Sequence, residues 1–236
     1  MPEFALVAED GCVAPDVLAF IAAAVNLQMR RDVAPIWADD VWTVVALDSL
    51  ANVRPNETRK VLTFKRRLNV PNAAGFHTVA AGVEYAEALA PAAPRAGEAI
   101  DGTTTSHEVI ETFGDPGCNA YVRGPSGRRL ARELADPVEA DAYAITVRIG
   151  PDARQVMVSN FVYPAWFDGG PGPYDFLKRV VMPEETTAGG YYSYLDDAGH
   201  SQQVFADARA RQTWLTKMTN PTTRVQARLR GALANP

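Results

Sequence analysis

The stretch TTTSHEVIETFGDPG, Thr103 to Gly117, is punctuated as a short helix. Thr103 to Ser106 offer N-caps, Val109, Ile110 and Phe113 give one apolar side, and Asp115-Pro116-Gly117 ends it. Within it His107 and Glu111 are four apart, so they lie one above the other on one helix face. An imidazole nitrogen and a carboxylate oxygen at that spacing can share one divalent cation. Glu108 sits one step around, where it is placed to hold a water bound to the metal rather than the metal itself. This is the logic of an HExxH helix with glutamate in place of the second histidine.

A third ligand has to come from another segment. ARELADPVEADAY, Ala131 to Tyr143, offers Glu133, Asp136, Glu139 and Asp141. Glu133 and Asp136 are three apart and converge on one point if that segment is helical. Both also read as exposed carboxylates paired with Arg128, Arg129 or Arg132, a reading stronger for Asp136 than for Glu133. His77 lies in a strand-like stretch and reads as a packed side chain rather than a ligand. His200, in DDAGHSQ, reads as a turn residue. The aromatics Trp166, Phe167, Tyr191, Tyr192 and Tyr194 either line a cleft or pin loops to the core.

Upstream, Leu18, Ile21, Val25 and Met29 recur at helical spacing after Pro15 and Asp16. The expected helix closes at Arg30-Arg31-Asp32 before Pro35. VWTVVAL, Val41 to Leu47, reads as a buried central strand. The segment Val61 to Leu68 carries Lys65, Arg66 and Arg67 and reads as an exposed or edge strand. Short strands follow around Phe76 to Ala80 and Val83 to Leu89, then a loop from Ala90 to Gly102. Beyond the motif, Tyr143 to Ile149 and Gln155 to Val162 read as strands joined by the turn Gly150 to Arg154. Pro164 to Gly190 is loop-like. From Val204 on, the pattern is helical and basic, interrupted by Asn220-Pro221.

The ordered pieces resemble a group of zincin-like proteins. This group includes the plant phosphate-induced (EXORDIUM-like) family and uncharacterised bacterial and phage proteins. The matching stretches are SHEVIETFGDP (Ser106 to Pro116), NAY (Asn119 to Tyr121) and ELADPVE (Glu133 to Glu139). RRDVAPIW (Arg30 to Trp37), VSNFVYPAWF (Val158 to Phe167) and the GGY at Gly189 to Tyr191 are similar to the bacterial and phage members. The resemblance implies His107, Glu111 and Glu133 as metal ligands, Asp136 as a further ligand or its supporting partner, and Glu108 as general base. It implies a divalent cation, zinc first, with calcium or manganese admitted by the oxygen-rich ligation. Several carboxylates neutralise a cation more fully than three imidazoles do, which weakens it as an electrophile.

Two functions follow as expectations. One is a metal-dependent peptidase acting on a peptide or protein substrate. The other is a non-catalytic scaffold or adaptor in a phage virion, in the neck, tail or capsid-associated, contacting other virion proteins. The expected fold is α+β and zincin-like: a long N-terminal backing helix, a twisted mixed sheet and the short HExxE helix. The domain spans residues 1–205, with a basic helical tail over 206–236.

Bulk properties fit that picture. A 47% hydrophobic and 22% charged composition lets 236 residues bury a core without metal or disulfide staples. The net charge of −5 argues against a general nucleic-acid binder. The N-terminus MPEFALVAEDGC has no signal-peptide pattern, and no run reaches the roughly eighteen apolar residues of a membrane span. Synthesis is therefore expected in the cytoplasm, without a membrane partner. Two distant cysteines, Cys12 and Cys118, admit one disulfide but read more simply as buried thiols.

Overall fold

The structure, a computed structural model, describes residues 3–37, 42–49, 51, 53, 59–69, 73–80, 83–208 and 210–212. Strand β1 (Glu3–Ala8) opens the chain and is followed by helix α1 (Pro15–Gln28). Pro15 occupies the first helical position, where its missing N–H costs nothing, so Asp16 lies inside the first turn instead of capping it. The helix does not stop at Arg30-Arg31-Asp32. It widens into a π turn over Met29–Val33 and continues as α2 (Ala34–Trp37). Pro35 is tolerated there because the π turn has already shifted the hydrogen-bond ladder.

Strands β2 (Thr43–Leu47), β3 (Arg59–Lys65), β4 (Gly75–Ala80) and β5 (Val83–Leu89) complete a five-stranded mixed sheet ordered β2-β1-β3-β5-β4. All neighbours are parallel except the β4–β5 pair, which is antiparallel. In β1 and β3, Phe4, Leu6, Leu62 and Phe64 are buried to 2% or less. Each such side chain contributes roughly 2 kcal/mol. Ala5, Val7, Val53 and Val61 form a cluster that Val45 and Leu47 also join. Helix α1 packs against β1 and β2, as expected of a backing helix, and Asn26 Oδ1 accepts the Val44 N–H at 3.2 Å.

Two strands exchange their expected places. The apolar β2 lies at the sheet edge, while the charged β3 lies in the centre. Charge partners explain the swap. Lys60 pairs with Glu84 on β5, Lys65 Nζ lies 2.7 Å from Glu87 Oε1 on β5, and Arg59 Nε donates to Glu3 Oε2 on β1 at 2.9 Å. Flanking strands thus supply a carboxylate for each cation, so a central position costs β3 little. Burial pulls the Lys65 ammonium down, but the hydrogen bond and charge of Glu87 outweigh it and leave the group raised.

After β6 (Ile100–Asp101) comes the motif helix α3 (Thr103–Gly114), then β7 (Tyr121–Arg123) and β8 (Arg129–Ala131). The acidic segment forms a 3-10 turn at Asp136–Val138. The hairpin β9 (Ala142–Ile149) and β10 (Asp152–Ser159) joins β6 in a three-stranded sheet that also packs on α1. The loop-like stretch contains a short helix α4 (Pro164–Asp168), with buried Trp166 and Phe167. Strands β11 (Tyr191–Leu195) and β12 (Ser201–Phe205) join β8 and β7 in the order β12-β11-β8-β7, so Val204 is in a strand rather than a helix. Among the described residues the fold is α+β, with three sheets and few helices.

The chain groups into two compact units. One comprises Met1–Asn69, Ala73–Val109 and Ala142–Ser159, and the other Val70–Asn72, Ile110–Asp141 and Asn160–Pro236. Residues 213–236, most of the expected basic tail, lie outside the described residues. Cys12 and Cys118 are not joined; the Cys12 thiol donates to the Phe64 carbonyl at 3.2 Å. No described helix is long and apolar enough to cross a membrane.

Candidate metal centre

Helix α3 is held at its start by side chains on either side of the first turn. Asp101 Oδ1 accepts the Thr103 N–H at 3.0 Å and so performs the capping expected of Thr103 to Ser106. Ser106 instead staples the helix to the hairpin. Its hydroxyl donates to the Thr103 carbonyl at 2.9 Å and accepts the Ser159 N–H at 2.6 Å. At the other end Asp115 Oδ1 accepts the N–H groups of Asn119 and Ala120, at 2.9 and 3.0 Å, and turns the chain away.

The helix runs through the division between the two units, with residues up to Val109 in one and those from Ile110 in the other. Within each unit a different neighbour packs on the helix residues that belong to it. In the first unit, that neighbour is β4. A methyl group on Gly75 would lie 2.6 Å from Thr104 Cγ2 and 3.0 Å from Glu108 Oε1, so only glycine lets β4 approach this closely. His77 follows two residues later, on the same face of the strand. Its Nδ1 lies 3.5 Å from Glu108 Oε2, and both side chains are almost fully buried.

In the second unit, a methyl group on Gly114 would lie 2.6 Å from Leu134 Cγ. That clearance brings the Glu133-Leu134-Ala135-Asp136 segment against the C-terminal part of α3. The Thr187 N–H donates to the Pro137 carbonyl at 3.0 Å and braces the 3-10 turn from outside. Convergence of Glu133 and Asp136 was expected from a helix. The observed 3-10 turn begins only at Asp136, so the two do not share helical geometry.

Two groups of ligand atoms result, and Glu111 belongs to both. His107, Glu111 and Asp136 offer one ligand atom each, all within 4.8 Å of one another. His77, Glu108 and Glu111 do the same. Burial is high throughout: His107 is 8% exposed, Glu111 0%, Asp136 1%, Glu108 2% and His77 1%. Glu133 is 2% exposed and lies three residues before Asp136, but it belongs to neither group. The resemblance implied Glu133 as third ligand and Asp136 as a further ligand or its supporting partner; of the two, Asp136 is the one whose oxygen groups with His107 and Glu111.

The donors fit a divalent cation. One imidazole nitrogen with carboxylate oxygens suits zinc, and the oxygen-rich balance also admits manganese or calcium. Burying several carboxylates together is costly unless positive charge or protons compensate them. From the sequence His77 reads as a packed side chain, and it is buried here within one of the two groups. Gly75, the first residue of β4, marks the close backbone approach that sets His77 beside Glu108. His200 is exposed and pairs with Asp196 at 3.6 Å in the turn before β12. No protein-family model, no curated protein and no solved structure matches this chain.

Proposed function

We propose that this chain is a zincin-like protein that binds a divalent cation, zinc first, on α3, and that its reaction is metal-dependent peptide hydrolysis. The observation that carries this reading is the convergence of His107, Glu111 and Asp136 within 4.8 Å. Those three residues would hold the cation, with Glu133 supporting them from the same segment. When bound, the cation would polarise a scissile carbonyl and lower the pKa of a water. Glu108, next to the ligand His107 and one helical turn from Glu111, serves as the proton acceptor for that water. The substrate class is a peptide or protein.

A second reading is favoured by the closure of the site. Structural cation sites are closed, whereas catalytic ones keep an open position, and no candidate ligand here is more than 8% exposed. On that reading the cation stabilises a zincin-like scaffold without turnover, of the kind a virion component would need to assemble with other virion proteins.

One set of variants separates the two. Purified full-length protein, loaded with zinc, is assayed against a peptide library alongside Glu108→Gln. The peptidase reading expects cleavage by the parent and a loss of at least about 100-fold in the variant, with the His107 cation retained. Cation binding without cleavage in either protein supports the scaffold. Absence of cation binding by the parent removes both readings.

A further inference from the structure

We propose that α3 carries a second cation site, formed by His77, Glu108 and Glu111, and that Glu111 is shared between the two sites. The inference rests on the cation reading of α3 given above and extends it from one ion to two.

Three observations converge. The first is the distance between His77 Nδ1 and Glu108 Oε2, 3.5 Å. That is longer than a charge-assisted hydrogen bond, which falls near 2.7–2.9 Å. It is close to the roughly 3.3 Å that separates two donors bound about 2.0–2.1 Å from a tetrahedral zinc. The second is the packing of β4. Gly75 lacks the side chain that would hold the strand off α3, and His77 is thereby delivered to the Glu108 side of the helix. A histidine placed only to fill the core does not need that clearance beside a carboxylate.

The third is charge. Glu108, Glu111, Glu133 and Asp136 are each 2% exposed or less. Burying four acidic groups together is costly for their charged forms, and each bound divalent cation offsets part of that cost. Glu111 has two oxygens and belongs to both ligand groups, so it can bridge the pair of ions as carboxylates do in two-metal sites. The ligand chemistry, one imidazole and two carboxylates, suits zinc or manganese.

In this arrangement Glu108 answers to a cation at rest, and that separates the proposal from the single-ion reading. Chelator-stripped full-length protein is titrated with Mn²⁺ alone, and the unbound ion is counted by its six-line paramagnetic resonance signal. The parent is expected to take up two equivalents, the second producing a spin-coupled pair with its own spectrum. Glu108→Gln and His77→Asn should each take up one, as should His107→Ala, while Glu111→Ala should lose at least one and all spin coupling. The parent spectrum provides a test that does not depend on any variant folding. One equivalent in the parent, retained in His77→Asn and Glu108→Gln and lost in His107→Ala, overturns the second site and leaves the first. No uptake by the parent overturns both.

Discussion

Two regions of this protein enclose charge, one partly and one almost wholly, and they balance it differently. In the five-stranded sheet, Lys60, Lys65 and Arg59 of the central strand β3 meet Glu84, Glu87 and Glu3 on the strands beside it. Around α3, Glu108, Glu111, Glu133 and Asp136 are buried with two histidines at ligand distance. The sheet offers a carboxylate for each cation from within the chain. The helix gathers acid beside two histidines, in groups able to hold a metal ion. A charged residue in the interior is thus not diagnostic by itself; the sign of its neighbours is.

That contrast can be broken from either side. The largest effect is expected at α3, because a cation that binds the folded chain alone stabilises it by mass action. At a free zinc concentration about a thousand times Kd, the gain is about 4 kcal/mol. Chemical denaturation with and without zinc should show it, and His107→Ala should abolish it. Next comes the sheet. Glu84→Gln leaves Lys60, itself only 6% exposed, without its carboxylate. A loss of about 3 kcal/mol is expected, read by the same denaturation and indifferent to zinc.

A smaller effect belongs to the polar network behind α1. The Tyr143 hydroxyl donates to Asp32 Oδ2 at 2.8 Å and accepts from Gln28 Nε2 at 3.1 Å. Gln28 also donates to the Ser159 carbonyl at 2.8 Å, which ties this network to the strand that Ser106 grips. Tyr143→Phe should cost about 1.5 kcal/mol. Burial first, then the hydrogen bond and charge of Asp32, push the Tyr143 hydroxyl well above the ordinary tyrosine value. A group raised in the folded state contributes fully below its unfolded pKa, near 10, and loses that contribution as pH climbs beyond it. Denaturation profiles of parent and variant should therefore converge above about pH 10.

What the sequence disclosed follows the range of the forces involved. The α3 helix, the hairpin β9–β10 and the pair β4–β5 were legible because caps, turn residues and local periodicity specify them. The roles of β2 and β3 were not, because position in a sheet depends on partners far along the chain. Lys65, Arg66 and Arg67 point to an edge, whereas Glu84 and Glu87 of β5 meet Lys60 and Lys65 alongside β3. Strand β1 escaped notice entirely, since FALV is too short to separate from a buried helix fragment. His107, Glu108 and Glu111 share one helix, so their nearness to one another was legible from spacing. Asp136 reaches its place through a 3-10 turn and the clearance at Gly114, neither of which spacing alone foretells. His77 arrives through a strand and a second glycine.

The most direct test of the cation reading is metal content. Full-length protein purified without chelator, dialysed against trace zinc and analysed for bound elements, is compared with a His107→Ala/Glu111→Ala variant shown to be folded. The parent should hold at least one divalent ion per chain and the variant none. A parent that emerges as empty as the variant would mean that protons, rather than a cation, balance the acid buried around α3.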